Sequence, residues 1–567
     1  MRKTERELLA EISTENLMSY TEKISQKIRI SGSREERESL EYIQKKLEDF
    51  GYETKLLEYV GYISYPVSAS VTIEEPKQEG VEALGCCFTP SSKFGGIVGE
   101  VVEGTEKDQC GKIVLFDGLA SARKIASAKQ KGAVGVIFVQ DDNLHNCPAS
   151  DIWGCPEAEQ LEKLPKLPAV SITRPASEKI RELLRTQPVI VRLESTMVNE
   201  WKRCPILTAD LQSDKSDKFV LFSGHIDSWY YGAMDNGSAN ATMMECARVL
   251  AKEQKNLRRG IRIAFWSGHS QGKYAGSSWY ADHYFEELEE KCIAHVNIDS
   301  VGGKDAVIVE EPPVMAQAWD LAGAVIEEQT GRKFKGKRIA RNADQSFLGV
   351  GITSIFGTFS EQDIETVGDT VSFRYGKNSR AGGLGWWWHT KDDTIDKIDP
   401  QFLLRDCKIY LAVLWRLLVL PILPYSLERA VEEAAETIEK LQSKLETVFD
   451  FSLLEERLGI LLDKTVNLDQ ECRKTLESPE TPEMELTRLT ELQLQVCRCI
   501  VRMAYHENSI FQFDMSGKLY PLPNLEIGEK LAVSLPGSSC YYLYLNQLQR
   551  GYNRVMAYVK YMLELLS

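Results

Sequence analysis

An α/β fold built on a largely parallel sheet is predicted by three short apolar runs rich in β-branched and aromatic residues, Phe219–Ser223, Ile261–Trp266 and Ile293–Ile298. Helical or loop segments separate them, and that alternation favours parallel strands. Side chains able to bind a metal fall at the ends of these runs. His225 and Asp227 follow the first, Asp235 lies in the loop before a helix, His269 follows the second, and Asp299 ends the third. Ligands of open α/β sheets gather beyond the carboxyl ends of the strands, so these residues are expected to converge.

At 567 residues the chain exceeds one hydrophobic core, and two to four domains are expected. Residues 1–57 read as two helices and the start of a strand. Leu40, Ile43, Leu47 and Phe50 recur at helical spacing, Gly51 marks the stop, and Tyr52–Glu58 has an extended pattern. From Tyr59 to Glu194 the texture is one of short strands and turns: a strand at Lys112–Phe116, a helix at Ala120–Gln130, strands at Val134–Gln140 and Ala169–Ile172, and a helix from near Ala176. Asp141, Asp142 and His145 are close in sequence and read as solvated loop side chains.

Beyond the central runs, Asn342–Thr358 reads as a loop and a buried strand. Three consecutive tryptophans, Trp386, Trp387 and Trp388, then precede His389, and are expected to wall a pocket beside it. After Leu420 the composition shifts. Pro421 and Pro424 end a helix, and apolar residues at Ala430, Ala434, Ile438, Leu441 and Leu445 keep a helical period. Met484–Tyr505 and Tyr541–Leu566 repeat the amphipathic pattern, which predicts an all-helical third domain.

A formal net charge of −15 and a pI near 5.3 argue against nucleic acid or an anionic membrane as the main partner. The first twenty residues lack the apolar core of a signal peptide, and no run of about 18 apolar residues occurs. Thirteen irregularly spaced cysteines suggest reduced thiols, and hence a cytoplasmic protein without a membrane partner. His225, Asp235, Asp299 and His389 offer the imidazole nitrogens and carboxylate oxygens that zinc accepts, and Asp227 is placed to orient His225 by a hydrogen bond.

These residues lie in motifs with a family resemblance. SGHIDSWYYGAMDNGSANATMMECARVL resembles the first metal motif of the co-catalytic zinc exopeptidases, which include bacterial aminopeptidases, glutamate carboxypeptidase II and the catalytically inert transferrin receptor; VNIDS and WWWHTKDDTIDKID resemble the later ones. The resemblance implies a zinc-exopeptidase-like α/β domain over residues 1–58 and 195–420, with a mixed, largely parallel sheet flanked by helices. It also implies an inserted α/β protease-associated domain at 59–194 and an all-α dimerisation domain at 421–567, hence a homodimer. By position, Asp235 is expected to bridge two zinc ions, with His225 and Asp299 completing one site and His389 the other. A cis peptide is expected at Asp235–Asn236.

The chain departs from the family after its second strand. Where two adjacent glutamates are usual, it has Ser267-Gly268-His269-Ser270-Gln271-Gly272, so that His269 takes the position of the general base and Ser270 that of a ligand to the second zinc. A neutral hydroxyl is a poor zinc ligand, which favours a one-zinc hydrolase of peptide or small amide substrates with His269 as base. In a rival placement, His269 is a replacement ligand for the second metal. His269 and Asp227 are thus the candidate catalytic residues, and Asn342, Asp344 and Phe347 are candidate walls of the substrate pocket. The alternative class is a non-catalytic binding or scaffold protein like the transferrin receptor.

Overall fold

The computed structural model of the chain describes residues 4–363, 384–478 and 480–567. The three predicted runs form the strands Phe219–His225, Gly260–Trp266 and Cys292–Asn297. Phe219–His225 lies between the other two and parallel to both, and Ser354–Ile355 extends the parallel set beyond Cys292–Asn297. Their nearly continuous apolar character follows from burial on both faces of the sheet: Val220, Leu221, Phe222, Ile263, Phe265 and Val296 are all shut off from solvent. The chain leaves Phe219–His225 for one neighbour and returns past it to the other, so the end of that strand is a topological switch point.

On the far side of Gly260–Trp266 the pairing turns antiparallel. Ile190–Leu211 pairs there, and along nearly its whole length it also pairs with Glu53–Glu75. The extended segment predicted to end at Glu58 therefore runs on in one long ribbon. Its partner is remote in sequence, so local patterning did not reveal the length. The sheet continues into the inserted unit through Ile97–Glu103, then in parallel through Ile113–Asp117, Gly135–Val139 and Ala169–Ile172. Two helices accompany these strands: Ala122–Gln130, capped by Ser121, and Arg174–Leu184, with Pro175 in its first turn.

The amino-terminal segment folds as three helices, Glu5–Leu9, Thr14–Ile24 and Arg34–Asp49, rather than two. Thr4, Ser13 and Ser33 each accept a backbone N–H with their hydroxyl oxygen, and these caps set the breaks. Leu40, Ile43 and Leu47 are buried as their spacing predicts.

The carboxy-terminal region contains the helices Leu427–Leu445, Ser452–Glu477, Glu483–Ala504 and Ser539–Leu565. The stripe Ala430, Ala434, Ile438, Leu441 and Leu445 is buried, in an apolar core continuous with that beneath the central sheet. Arg498 staples the two regions. Its buried guanidinium donates hydrogen bonds to the carbonyls of Leu288, Glu289, Cys292 and Gly351, at 2.6–3.2 Å. Among the described residues no helix is long and apolar enough to cross a membrane.

Removing a buried donor strands its acceptors, at about 1–3 kcal/mol for each important contact. Arg498→Ala is expected to destabilise the fold by about 2–4 kcal/mol, read as a lower urea midpoint. An unchanged midpoint would show that the staple contributes nothing.

Candidate metal centre

His225 is the last residue of the central strand. Its Nδ1–H donates to the Asp227 carbonyl at 2.9 Å, with the Asp227 carboxylate 3.3 Å away, so Asp227 orients the ring as expected. The Asp227 carboxylate also accepts from the Ser31 hydroxyl at 2.7 Å and the Ser270 N–H at 2.8 Å, fixing the turn that carries His269. Gly232, at φ +55°, opens the next turn, and a Cβ there would lie 2.3 Å from the Asp235 carbonyl oxygen, so this approach requires glycine. Asp235 follows within the irregular turn Ala233–Ser238, and the Asp235–Asn236 peptide is cis.

Two buried groups hold this turn in place. Arg29 donates to the carbonyls of Ile226, Tyr231 and Gly232, and the Asp393 carboxylate accepts the N–H groups of Met234 and Asp235 at 2.9 and 3.0 Å. Asp299 lies two residues beyond the strand Cys292–Asn297, with its Oδ1 3.8 Å from His225 Nε2.

From the opposite side, His389 Nδ1–H donates to the Asn146 carbonyl at 2.5 Å while its Nε2 sits 2.9 Å from Asp235 Oδ2. His269 Nδ1 is hydrogen-bonded to Asp344 Oδ2 at 2.6 Å, and Asp344 Oδ1 accepts from Ser277 at the same distance. In each of the three histidines Nδ1 is engaged, and Nε2 of His225 and of His389 lies against Asp235. A cavity of about 500 Å³ opens onto Asp235, His269, Asp299 and His389, with Trp388 and Lys273 on its walls.

Several observations fit a divalent cation. His225 Nε2 is buried with Asp235 Oδ1 3.0 Å and Asp299 Oδ1 3.8 Å away: an imidazole nitrogen and two carboxylates converge, the donor set a divalent cation accepts. Burial opposes the His225 imidazolium, but the carboxylates of Asp227, Asp235 and Asp299 outweigh it and hold its pKa well above the ordinary imidazole range. Burial likewise opposes ionisation of Asp235, and His225 with His389 overcomes it, holding that pKa well below the usual carboxylate range. Burial also pushes Asp393 up to about 7, with the Asp235 charge adding to the shift against its two backbone N–H bonds.

His225, His269 and Asp299 have possible ligand atoms within 4.8 Å of one another. Yet the two imidazoles are stacked, with centroids 3.8 Å apart and planes within 10°. Lone pairs in two parallel planes do not meet at one ion. The two rings are therefore not arranged to share one ion.

Of the six predicted site residues, Asp235, His269, Asp299 and His389 line this cavity, while His225 and Asp227 lie buried behind it; some of their expected neighbours lie elsewhere. Of the three tryptophans only Trp388 walls it, its ring 3.5 Å from that of His389; Trp387 is buried in the core and Trp386 is exposed beside Lys397. Three successive side chains of a turn point in different directions. Of the predicted pocket walls, Asn342 lines the cavity, Asp344 is instead the partner of His269, and Phe347 packs in the core against Trp266 and His295.

The loop acids required a second correction. Asp141 and His145 are fully buried, because their loop is covered by Trp388 and His389; only Asp142 is exposed. Sequence reasoning missed Arg29 and Asp393 altogether. Asp393 lies in the acidic run after His389, but nothing local distinguishes it from Asp392.

Residues 207–414 match the model of peptidase family M28, and residues 77–180 that of the PA domain. The probable glutamate carboxypeptidase AMP1 of Arabidopsis thaliana is 22% identical over 365 residues, 51% of this chain and 52% of that protein. The probable glutamate carboxypeptidase VP8 of Zea mays is 23% identical over 488 residues, 71% of this chain and 66% of that protein. The chain thus spans between half and two thirds of the length of these relatives. Among solved structures, the aminopeptidase from Aneurinibacillus sp. strain AM-1 superposes with a TM-score of 0.54 at 21% identity, over 73% of this chain and 96% of that one. The zinc aminopeptidase BSAP from Bacillus subtilis gives 0.55 at 19%, over 72% and 95%. The structural likeness is one of fold; residues 207–414 of this chain are similar to peptidase family M28 and residues 77–180 to the PA domain.

Proposed function

We propose that the chain is a zinc-dependent hydrolase of peptide or related amide bonds that works with one metal ion. The observation that carries this reading is the buried convergence of His225 Nε2, Asp235 and Asp299, whose two acids line a cavity large enough for a peptide end. His225, Asp235 and Asp299 would hold the zinc, which would supply Lewis acidity toward the scissile carbonyl and the attacking water.

His269 supplies the proton transfers. With Nδ1 tied to the buried Asp344, its Nε2 accepts the proton of the attacking water as the new C–O bond forms. The same nitrogen returns that proton to the amine as the C–N bond breaks, and Asp344 stabilises the intervening imidazolium. His389 lacks a carboxylate partner at Ser270 for a second ion and pairs directly with Asp235 Oδ2; in this reading it orients the ligand. The matches to carboxypeptidases and aminopeptidases support an exopeptidase. The thirteen cysteines, none of them in a disulfide among the described residues, support a reducing, cytoplasmic setting.

A homodimer through Leu427–Leu566 is proposed as well. Leu453 and Ile460, seven residues apart on one helix, are exposed, as are Val533, Leu535, Tyr542 and Leu543 in the same region. Sedimentation at micromolar concentration is expected to show a dimer, and a monomer would refute it.

Reconstituted protein is expected to bind one zinc per chain and to hydrolyse members of a panel of aminoacyl and peptidyl amides. His269→Ala should keep the zinc and lose about 10²- to 10⁴-fold in kcat. Full turnover in that variant would exclude the base role, and a wild-type chain that takes up no zinc would favour the scaffold class.

The raised His225 pKa gives a second test. Its contribution to the stability of the metal-free fold is full below about pH 6.5 and is lost as pH rises through the folded value. At pH 7 the metal-free imidazole therefore carries a proton that zinc must displace. Calorimetry in buffers of different ionisation enthalpy is expected to show about one proton released per zinc bound, and affinity rising with pH; no proton release would contradict this assignment.

A further inference from the structure

The inserted domain sends one loop into the metal centre. It begins where the strand Gly135–Val139 ends. Gln140 closes it on itself: its side-chain amide donates to the His145 carbonyl at 3.0 Å, and its Oε1 accepts the His145 N–H at 2.6 Å. The His145 ring is 1% exposed, and both its nitrogens meet acceptors. Nε2 lies 3.1 Å from Asp141 Oδ1 within the loop, while Nδ1 donates across the domain boundary to the Trp388 carbonyl. The next residue, Asn146, is bound reciprocally to His389: its N–H donates to the His389 carbonyl at 3.2 Å, and its carbonyl accepts His389 Nδ1–H.

His389 itself is at φ +60°. A non-glycine residue in that left-handed region is strained by about 1 kcal/mol or more and persists only where its surroundings hold it. The surroundings here belong to another domain. Two successive residues of the PA loop grip two successive residues of the peptidase turn, and the far nitrogen of the gripped histidine sits on Asp235.

We propose that His145 and Asn146 are positioning residues of the metal centre: the PA domain holds His389 in its left-handed conformation and thereby orients Asp235 for zinc. The inference rests on the one-zinc reading given above. Partners lying behind a ligand typically govern metal affinity by 10- to 100-fold when removed, so the effect is readable without any substrate.

The test is the zinc affinity of the full chain, measured by competition with a chromogenic chelator. His145→Phe keeps a ring of similar size but no donor, and is expected to weaken zinc about 10- to 100-fold. His145→Asn places an amide donor where Nδ1 stood and is expected to restore affinity to within about fivefold of wild type. A role only in PA-domain packing would not distinguish donor from non-donor in this way. His145→Ala provides the same comparison should the phenylalanine variant fail to fold. Equal zinc affinity in wild type and the donor-less variants overturns this inference alone; a wild-type chain that binds no zinc overturns the one-zinc reading and this inference with it.

Discussion

The buried carboxylate of Asp235, set between the Nε2 atoms of His225 and His389, is the contact around which the centre is organised. An ionised carboxylate removed from water needs polar or charged partners, and here each oxygen lies against one imidazole. That demand explains much of the surrounding architecture. Gly232 permits the turn, Asp393 holds the two N–H groups leading into Asp235, and Arg29 binds the carbonyls of the same loop. Each of these groups is itself buried and would be unfavourable without its partners.

The replacement of an acidic pair by His269 and Ser270 changes the charge balance as well as the donor set. Two adjacent carboxylates would add two negative charges beside Asp227, Asp235 and Asp299. An imidazole and a hydroxyl bring no such carboxylate charge, and this agrees with a single divalent ion in the proposed mechanism. In that proposed mechanism the stacked His225 and His269 divide the work, one as the ligand and the other, tied to Asp344, as the base.

The three regions of the chain are not independent bodies joined by linkers. The ribbon of Glu53–Glu75 and Ile190–Leu211 carries the sheet from the peptidase core into the PA domain without interruption. The helical region shares an apolar core with the central sheet and is further tied to it by Arg498. Each histidine of the site is anchored differently as a result: His225 by its own turn, His269 by a carboxylate from a distant loop, His389 by the PA domain.

The sequence by itself determined the three central strands and the residues at their ends. Burial on both faces demands unbroken apolar runs, and metal chemistry demands imidazole and carboxylate just beyond them, so both leave local traces. Phe219–His225 and the residues His225, Asp235 and Asp299 were legible for that reason. What only the tertiary structure decided were contacts between segments with no periodic or compositional mark: Asp344 as the partner of His269, Asp393 beneath Asp235, and the buried pair of Asp141 and His145 against Trp388. A single polar side chain in a loop looks the same in sequence whether it faces water or a neighbouring domain. Its role is settled by what the fold packs against it.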